Sequence, residues 1–263
     1  MKYVLVTGAC GGMGRCCTEL LLSKGYTVFA LDKNTFEEKE GIIPICADIT
    51  DTESILNAYN EVCKITDELF AIIHFAGIYM LDSFAEVKEE ELRKIFDVNF
   101  FGAVGINKIF LPLLKKGSRI IITTSELAPL DPLPFTGIYA LTKAALDKYA
   151  YSLAMELQLL DIRVSVLRAG AVATDMLAVS TDALEIFCNK TGLYKCNSKR
   201  FKTIVGRVEA RNITPRKLSE KAIKILLKQH PKFTYSINRN PLLLLLNFLP
   251  KQLQLWIIKR VLK

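Results

Sequence analysis

Four glycines fall within eight residues at Thr7-Gly-Ala-Cys-Gly-Gly-Met-Gly14, directly behind the apolar run Tyr3 to Val6. A glycine-rich turn between a strand and a helix lets the main chain approach a pyrophosphate, whose charge is met by amide N–H groups and the helix N-terminus. Gly8, Gly12 and Gly14 are assigned to that task, with Met13 between them and Cys16 and Cys17 as small apolar residues on the following helix. Asp32 ends the next apolar run, about 20 residues on, where a carboxylate can accept hydrogen bonds from adenosine ribose hydroxyls. A 2′-phosphate there would meet a like charge, which favours NAD(H), while Arg15 and Lys33 nearby keep NADP(H) open.

Further along, Tyr139-Ala-Leu-Thr-Lys143 sets a phenol and an ammonium one helical turn apart on a shared face. With T-G-x-x-x-G-x-G at Thr7 to Gly14, Ser125 fourteen residues before the tyrosine and Asn99 in Asp97-Val-Asn-Phe-Phe-Gly, the chain resembles the short-chain dehydrogenase/reductase family. The match runs in order over residues 1 to about 175, and the chain from Tyr139 to its apolar end is similar to hydroxysteroid and retinol dehydrogenases. The resemblance implies that Tyr139 is the general acid/base and that the Lys143 ammonium lowers its pKa towards working pH by favouring phenolate. It also implies that Ser125 positions the reacting oxygen, that Lys143 holds the nicotinamide ribose, and that Asn99 anchors a water linking Lys143 to solvent. By the same resemblance Asp48 and Ile49 contact adenine, the backbone of Ala76 and Gly77 approaches the cofactor, and Thr174 offers a hydroxyl near the nicotinamide carboxamide.

The chain departs from the family at two points. His74-Phe75-Ala76-Gly77 stands where Asn-Asn-Ala-Gly is usual, so His74 is read as a structural substitute for the lost amides, and Ala169-Gly170 replaces the usual Pro-Gly.

Residues of this kind need a scaffold that gathers distant positions. Short, continuous apolar runs at Lys2 to Val6, Thr27 to Leu31, Ile42 to Cys46, Phe70 to Phe75, Arg119 to Thr123 and Arg163 to Leu167 alternate with helical segments. That rhythm predicts an α/β fold: a single Rossmann-type, doubly wound domain with a mainly parallel sheet of seven strands, the last near Phe233 to Ile237. Thr50 and Glu53 read as a capping box for a helix through about Cys63, and Thr214-Pro215 as the start of another. The expected catalytic domain spans 1–240. Within it, 175–212 forms a loosely patterned insertion that builds the substrate site, with Met176, Leu177, Leu184, Ile186, Phe187, Leu193, Tyr194 and Phe201 as its apolar residues. Residues 241–263 form an apolar and basic tail. Its first apolar run is far short of the roughly 20 residues that cross a bilayer, and it could serve a subunit contact, the substrate pocket or a membrane interface.

At 263 residues, 51% hydrophobic and 24% charged, the chain reads as globular. No signal peptide is recognised behind Met1-Lys2, and a cytoplasmic location is expected, with membrane association open. Seven cysteines without a CxxC pair read as reduced thiols, and two histidines without helical spacing argue against a His-based metal site, so no metal is expected. The net charge of +8 is concentrated: Lys190 to Lys232 holds 13 basic and 2 acidic residues, which suits a solvated helical face or an anionic partner, and no nucleic-acid motif accompanies it. The favoured function is NAD(H)-dependent interconversion of a secondary alcohol and ketone on a hydrophobic substrate, a steroid or bile acid first, in a homodimer or homotetramer. The alternatives are a ketoacyl-carrier-protein reductase, which would dock an acidic carrier, and a non-catalytic dinucleotide-binding or membrane-surface protein.

Overall fold

The computed structural model describes residues 2–209 and 212–263, and of 175–181 and 206–209 the backbone only. The chain runs β1 (Tyr3–Thr7), α1 (Gly12–Leu22), β2 (Thr27–Asp32), β3 (Ile42–Cys46), α2 (Thr52–Cys63), β4 (Leu69–His74), α3 (Glu89–Phe96) and α4 (Gly102–Phe110). It continues with β5 (Leu114–Ser125), α5 (Gly137–Leu157), β6 (Arg163–Ala169), α6 (Asp175–Lys190), α7 (Lys195–Glu209), α8 (Pro215–Leu226), β7 (Thr234–Ile237), α9 (Pro241–Phe248) and α10 (Lys251–Leu262). The seven strands pair in parallel in the order β3-β2-β1-β4-β5-β6-β7, so the fold is α/β and Rossmann-like.

The strands are continuously apolar because both faces are covered. On one face α1 and α8 pack over Val4, Val6, Val28 and Ile73, with Leu21 and Leu218 fully buried between the layers. On the other, α2, α4 and α5 set Ile55, Ile106, Phe110 and Leu146 against Leu5, Phe29, Ile72 and Ile120. The strand order reverses between β1 and β4, and a crevice opens there at the carboxyl ends of the strands.

Two local expectations are corrected. The cap of α2 is Asp51, whose carboxylate accepts from Glu53 N (3.1 Å) and Ser54 N (3.3 Å), while the Thr50 hydroxyl donates to Asp48 at 2.7 Å. A carboxylate in that position reaches two first-turn amides and carries the charge a helix N-terminus favours. The stretch 175–212, expected as a loosely patterned insertion, is mostly two helices, α6 and α7. They bury Leu184, Phe187 and Phe201 against Leu81, Phe135 and Leu262 in a third core. Phe135 adopts φ 66° there, a conformation costly for a bulky side chain, and its ring lies 4.6, 5.2 and 5.2 Å from those of Phe187, Tyr194 and Phe201. Glu86 fastens the end of this cap, accepting from the Thr191 hydroxyl and the Gly192 and Leu193 amides.

Thr214 caps α8 as read, accepting from Lys217 N, with Pro215 in the first turn. All seven cysteines are free, and Cys17 is fully buried on α1.

Candidate active site

The glycine turn is shaped by close approach as much as by room for a ligand. Gly8 has φ 68°, and a Cβ there would lie 2.5 Å from Ala76 N, so β1 can meet the segment after β4 only with glycine. A Cβ on Gly14 would run into the Gly8 carbonyl, and one on Gly12 would stand 3.1 Å from Thr174 Cγ2. No side chain caps α1, whose first-turn amides therefore remain available at the turn. A cleft of about 710 Å³ opens in front of it. Gly8, Gly12, Met13 and Gly14 line one side, Asp32, Asp48 and Ile49 a second, and Ala76, Gly77 and Thr174 a third. The glycine-lined turn, the helix N-terminus free of a side-chain cap and the size of the cleft fit a nicotinamide dinucleotide.

Asp32 accepts from Cys10 N and Asn34 N, each at 3.0 Å, one to each carboxylate oxygen. These bonds fix the carboxylate and leave lone pairs on both oxygens for hydroxyl donors. Arg15, one of the two cations near it in sequence, is engaged over the Phe36 ring at 5.0 Å, whereas Lys33 lines the cleft. Asp48 accepts from Thr50 N and Oγ1, and these bonds hold its carboxyl below the usual range.

Ser125 at the end of β5 and Tyr139 and Lys143 on α5 line a second cavity of about 250 Å³, which shares Met13, Phe75, Tyr79 and Thr174 with the cleft. Asn99 lies in a single π-helical turn, Asp97–Phe101, between α3 and α4. Its carboxamide ties two segments together: Oδ1 accepts from Ile78 N at 2.7 Å, and Nδ2 donates to Ile78 O at 2.9 Å and Thr142 Oγ1 at 3.1 Å. A Cβ on Gly77 would stand 3.1 Å from Asn99 Oδ1 and 3.2 Å from Lys143 Nζ, so this glycine leaves room for both.

The electrostatics differ from the expectation that the lysine holds the phenol down. Burial pushes the Tyr139 phenol up, the neighbouring Tyr79 adds to the rise, and a hydrogen bond with Ser125 opposes it. Burial also lowers the Lys143 ammonium to about 8. Its Nζ is 5.7 Å from the centre of the Tyr139 ring, and desolvation of each group outweighs their attraction.

The inner cavity is mainly apolar beyond Ser125, Glu126, Tyr139 and Lys143, with Leu127, Leu133, Phe201, Ile204, Val205 and Leu243 on its walls. Of the insertion residues expected to line it, Phe201 does so; Leu184, Phe187 and Tyr194 pack in or against the third core, Ile186 and Leu193 are exposed, and Met176 and Leu177 lie outside the described side chains. Among the described residues, no basic side chain between Lys190 and Lys232 lines either cavity. Lys190 bonds Asp82 at 2.8 Å and Glu91 at 3.3 Å, and Lys202 pairs with Glu185, so those charges belong to the protein surface. Two lining residues have no sequence signal of their own. Glu126, which follows Ser125, has its carboxyl raised by burial and accepts from Asn240 N at 2.5 Å, and Leu243 comes from α9. Among the described residues no three His, Cys, Asp or Glu side chains cluster as metal ligands.

Residues 2–185 match the model of the short chain dehydrogenase family. The chain belongs to that family. It is similar to estradiol 17-beta-dehydrogenase 2 of Mus musculus, 36% identical over 66% of this chain, and spans about half (49%) of that relative's length. It is also similar to a 3-ketodihydrosphingosine reductase of Bacteroides thetaiotaomicron, 26% identical over 88% of this chain and 86% of the relative. Among solved structures, a short chain dehydrogenase family protein from Francisella tularensis covers 90% of this chain and 97% of its own, with 26% identity and a TM-score of 0.75.

This short-chain dehydrogenase holds its site from behind by two polar clusters. His74 is buried where its ring nitrogens reach Asn107 Oδ1 (2.9 Å) and Thr7 Oγ1 (3.5 Å), joining β4 to β1 and α4. That is the structural role its position suggested. Arg168 on β6 makes a two-pronged pair with Asp147 on α5 (2.9 and 2.7 Å), and Thr124 donates to the same carboxylate, registering the helix of Tyr139 and Lys143 against the strand of Ser125. Gly170, the retained half of the altered Ala169-Gly170 pair, is required because a Cβ would strike the Asn238 carbonyl.

Proposed function

We propose that the protein interconverts a secondary alcohol and a ketone on a hydrophobic substrate, with NAD(H) preferred and Tyr139 as general acid/base. The observation that carries this reading is the shared position of Ser125, Tyr139 and Lys143 in an apolar cavity continuous with the dinucleotide cleft. When bound, the nicotinamide supplies or accepts the hydride. In reduction Tyr139 gives its hydroxyl proton to the carbonyl oxygen, and in oxidation it removes the alcohol proton, while Ser125 hydrogen-bonds the same oxygen. The raised phenol rests protonated, which suits reduction. Lys143 holds the nicotinamide ribose. Asn99 keeps the Ile78 and Thr142 segments in place beside Lys143 and anchors the water through which that lysine exchanges protons. Gly8, Gly12, Met13, Gly14, Asp48, Ile49, Ala76, Gly77 and Thr174 serve the dinucleotide, and Asp32 selects the unphosphorylated ribose.

A steroid or bile acid is the first substrate class, supported by the mostly aliphatic walls and the estradiol dehydrogenase relative. A second reading is favoured by Glu126, an acid within a largely apolar cavity: a long-chain ketone bearing an amine or hydroxyl donor beside the carbonyl, as in 3-ketodihydrosphingosine. The proposed assembly is a homodimer or homotetramer, a reading supported by the exposed Phe101, Tyr151 and Met155 in the helical layer of α4 and α5, and its proposed place is the cytoplasm, with membrane association open. A scan of steroid and long-chain ketones and alcohols with each cofactor, followed at the nicotinamide absorbance band, tests the function. Turnover of an apolar ketone with NADH supports it, and inertness of the whole panel with both cofactors contradicts it.

A further inference from the structure

Leu242, Leu245 and Phe248 follow at three-residue spacing on α9 and share a face that points away from the protein, with Phe248 86% exposed. On α10, Leu255 and Trp256 are also exposed, and the Arg260 guanidinium lies over the Trp256 ring at 5.6 Å. Residues 239–263 carry Arg239, Lys251, Lys259, Arg260 and Lys263 and no acidic residue, and of these Lys251 is paired with Asp131 of the protein body. A two-fold contact with a second copy would bring these like charges towards one another. An anionic lipid surface instead takes apolar side chains into its interface and satisfies the cations at its headgroups.

The same helices are moored to the protein on their other side. Leu262 is buried in the third core, Asn197 Nδ2 donates to Leu262 O at 2.8 Å, and Gln254 Nε2 donates to Leu249 O at 2.8 Å and Asp131 at 3.3 Å. At the start of α9, Asn240 N donates to Glu126, the neighbour of Ser125, and Leu243 reaches the inner cavity. One short helix therefore has an exposed apolar face on one side and the cavity wall on the other.

We propose that α9 and α10 dock on an anionic lipid surface, from which an apolar substrate passes along α9 into the cavity. The docking stands on the exposed face and its charge; the passage rests on the apolar-substrate reading given above.

The chain has one tryptophan, Trp256, and it reports from the proposed face. The full protein is sedimented with vesicles of phosphatidylcholine alone or with phosphatidylglycerol added, while Trp256 emission is recorded. The expected result is binding to the anionic vesicles only, weakened by salt, with blue-shifted emission shielded from an aqueous quencher. A Leu242→Ser/Leu245→Ser/Phe248→Ser variant should lose at least about tenfold in partitioning while binding NADH as the parent does, which shows that it folds. Absence of binding, or equal binding of the variant and parent, overturns the docking. So does a parent whose mass by light scattering is that of a dimer and a variant that is monomeric, with neither binding vesicles, which assigns the face to a second copy. Because sedimentation and emission need no turnover, an inactive protein that binds vesicles contradicts the dehydrogenase reading alone, and an active one that does not bind contradicts the docking alone.

Discussion

Lys143 is charged below a pKa of about 8 and neutral above it, since burial disfavours its ammonium. If that charge holds the ribose and keeps the tyrosine in its working state, kcat/KM should fall as pH rises through about 8. A rate profile checks this, and Lys143→Met should flatten the fall while lowering the rate at neutral pH. Asp32 is proposed to govern a separate choice, that between NAD(H) and NADP(H). Asp32→Ser removes the carboxylate that would face a 2′-phosphate while Lys33 stays in the cleft. The ratio of NADP to NAD efficiency should rise at least tenfold, about 1.4 kcal/mol, as read from steady-state kinetics with both cofactors. The positions of Tyr139, Lys143, Ser125 and Asp32 were legible because spacing and order encode them. The ionisation of Tyr139 and Lys143 was not, because it depends on how far the finished fold excludes water from the phenol and ammonium and on Tyr79, whose ring lies 4.9 Å from that of Tyr139.

At the scale of elements, the buried clusters behind the site carry the testable energetics. His74 has its pKa lowered from 6.5 to about 4 by burial. On acidification the unfolded chain takes up that proton first, so stability is complete above pH 6.5 and is lost as pH falls from 6.5 to 4, by about 3 kcal/mol in all. Urea midpoints measured across that range should drop steeply, and His74→Asn should flatten the slope. The Arg168–Asp147 pair offers a second test: Asp147→Ala leaves a mostly buried guanidinium without its partner and should cost about 3 to 5 kcal/mol. The elements themselves were largely readable, since strands buried on both faces appear as continuous apolar runs and Thr214-Pro215 encodes a helix start. Two features were hidden. Asp51 outcompetes Thr50 at the α2 cap through side-chain reach, and α6 and α7 bury stripes such as Leu184, Phe187 and Phe201 against Leu81 and Leu262, residues about 60 to over 100 positions away that no local window contains.

For the whole molecule, the consequence of the topology is that the dinucleotide cleft and the inner cavity meet at Met13, Phe75, Tyr79 and Thr174 but are built from different parts of the chain. The glycine turn, Asp32 and Lys143 do not depend on α9, whereas Leu243 forms a wall of the inner cavity. Deleting 241–263 should therefore raise KM for an apolar substrate with little change in NADH affinity, as measured by steady-state kinetics beside cofactor fluorescence. In the proposed reaction the Tyr139 oxygen carries the proton. Tyr139→Phe keeps the ring and its packing against Tyr79 but removes the titrating group, and hydride transfer to an apolar ketone can be followed in a single turnover at the nicotinamide band. The rate should fall by roughly 10²- to 10⁴-fold with NADH binding retained, and a variant that turns over near the wild-type rate would contradict the assignment of Tyr139 as the acid/base.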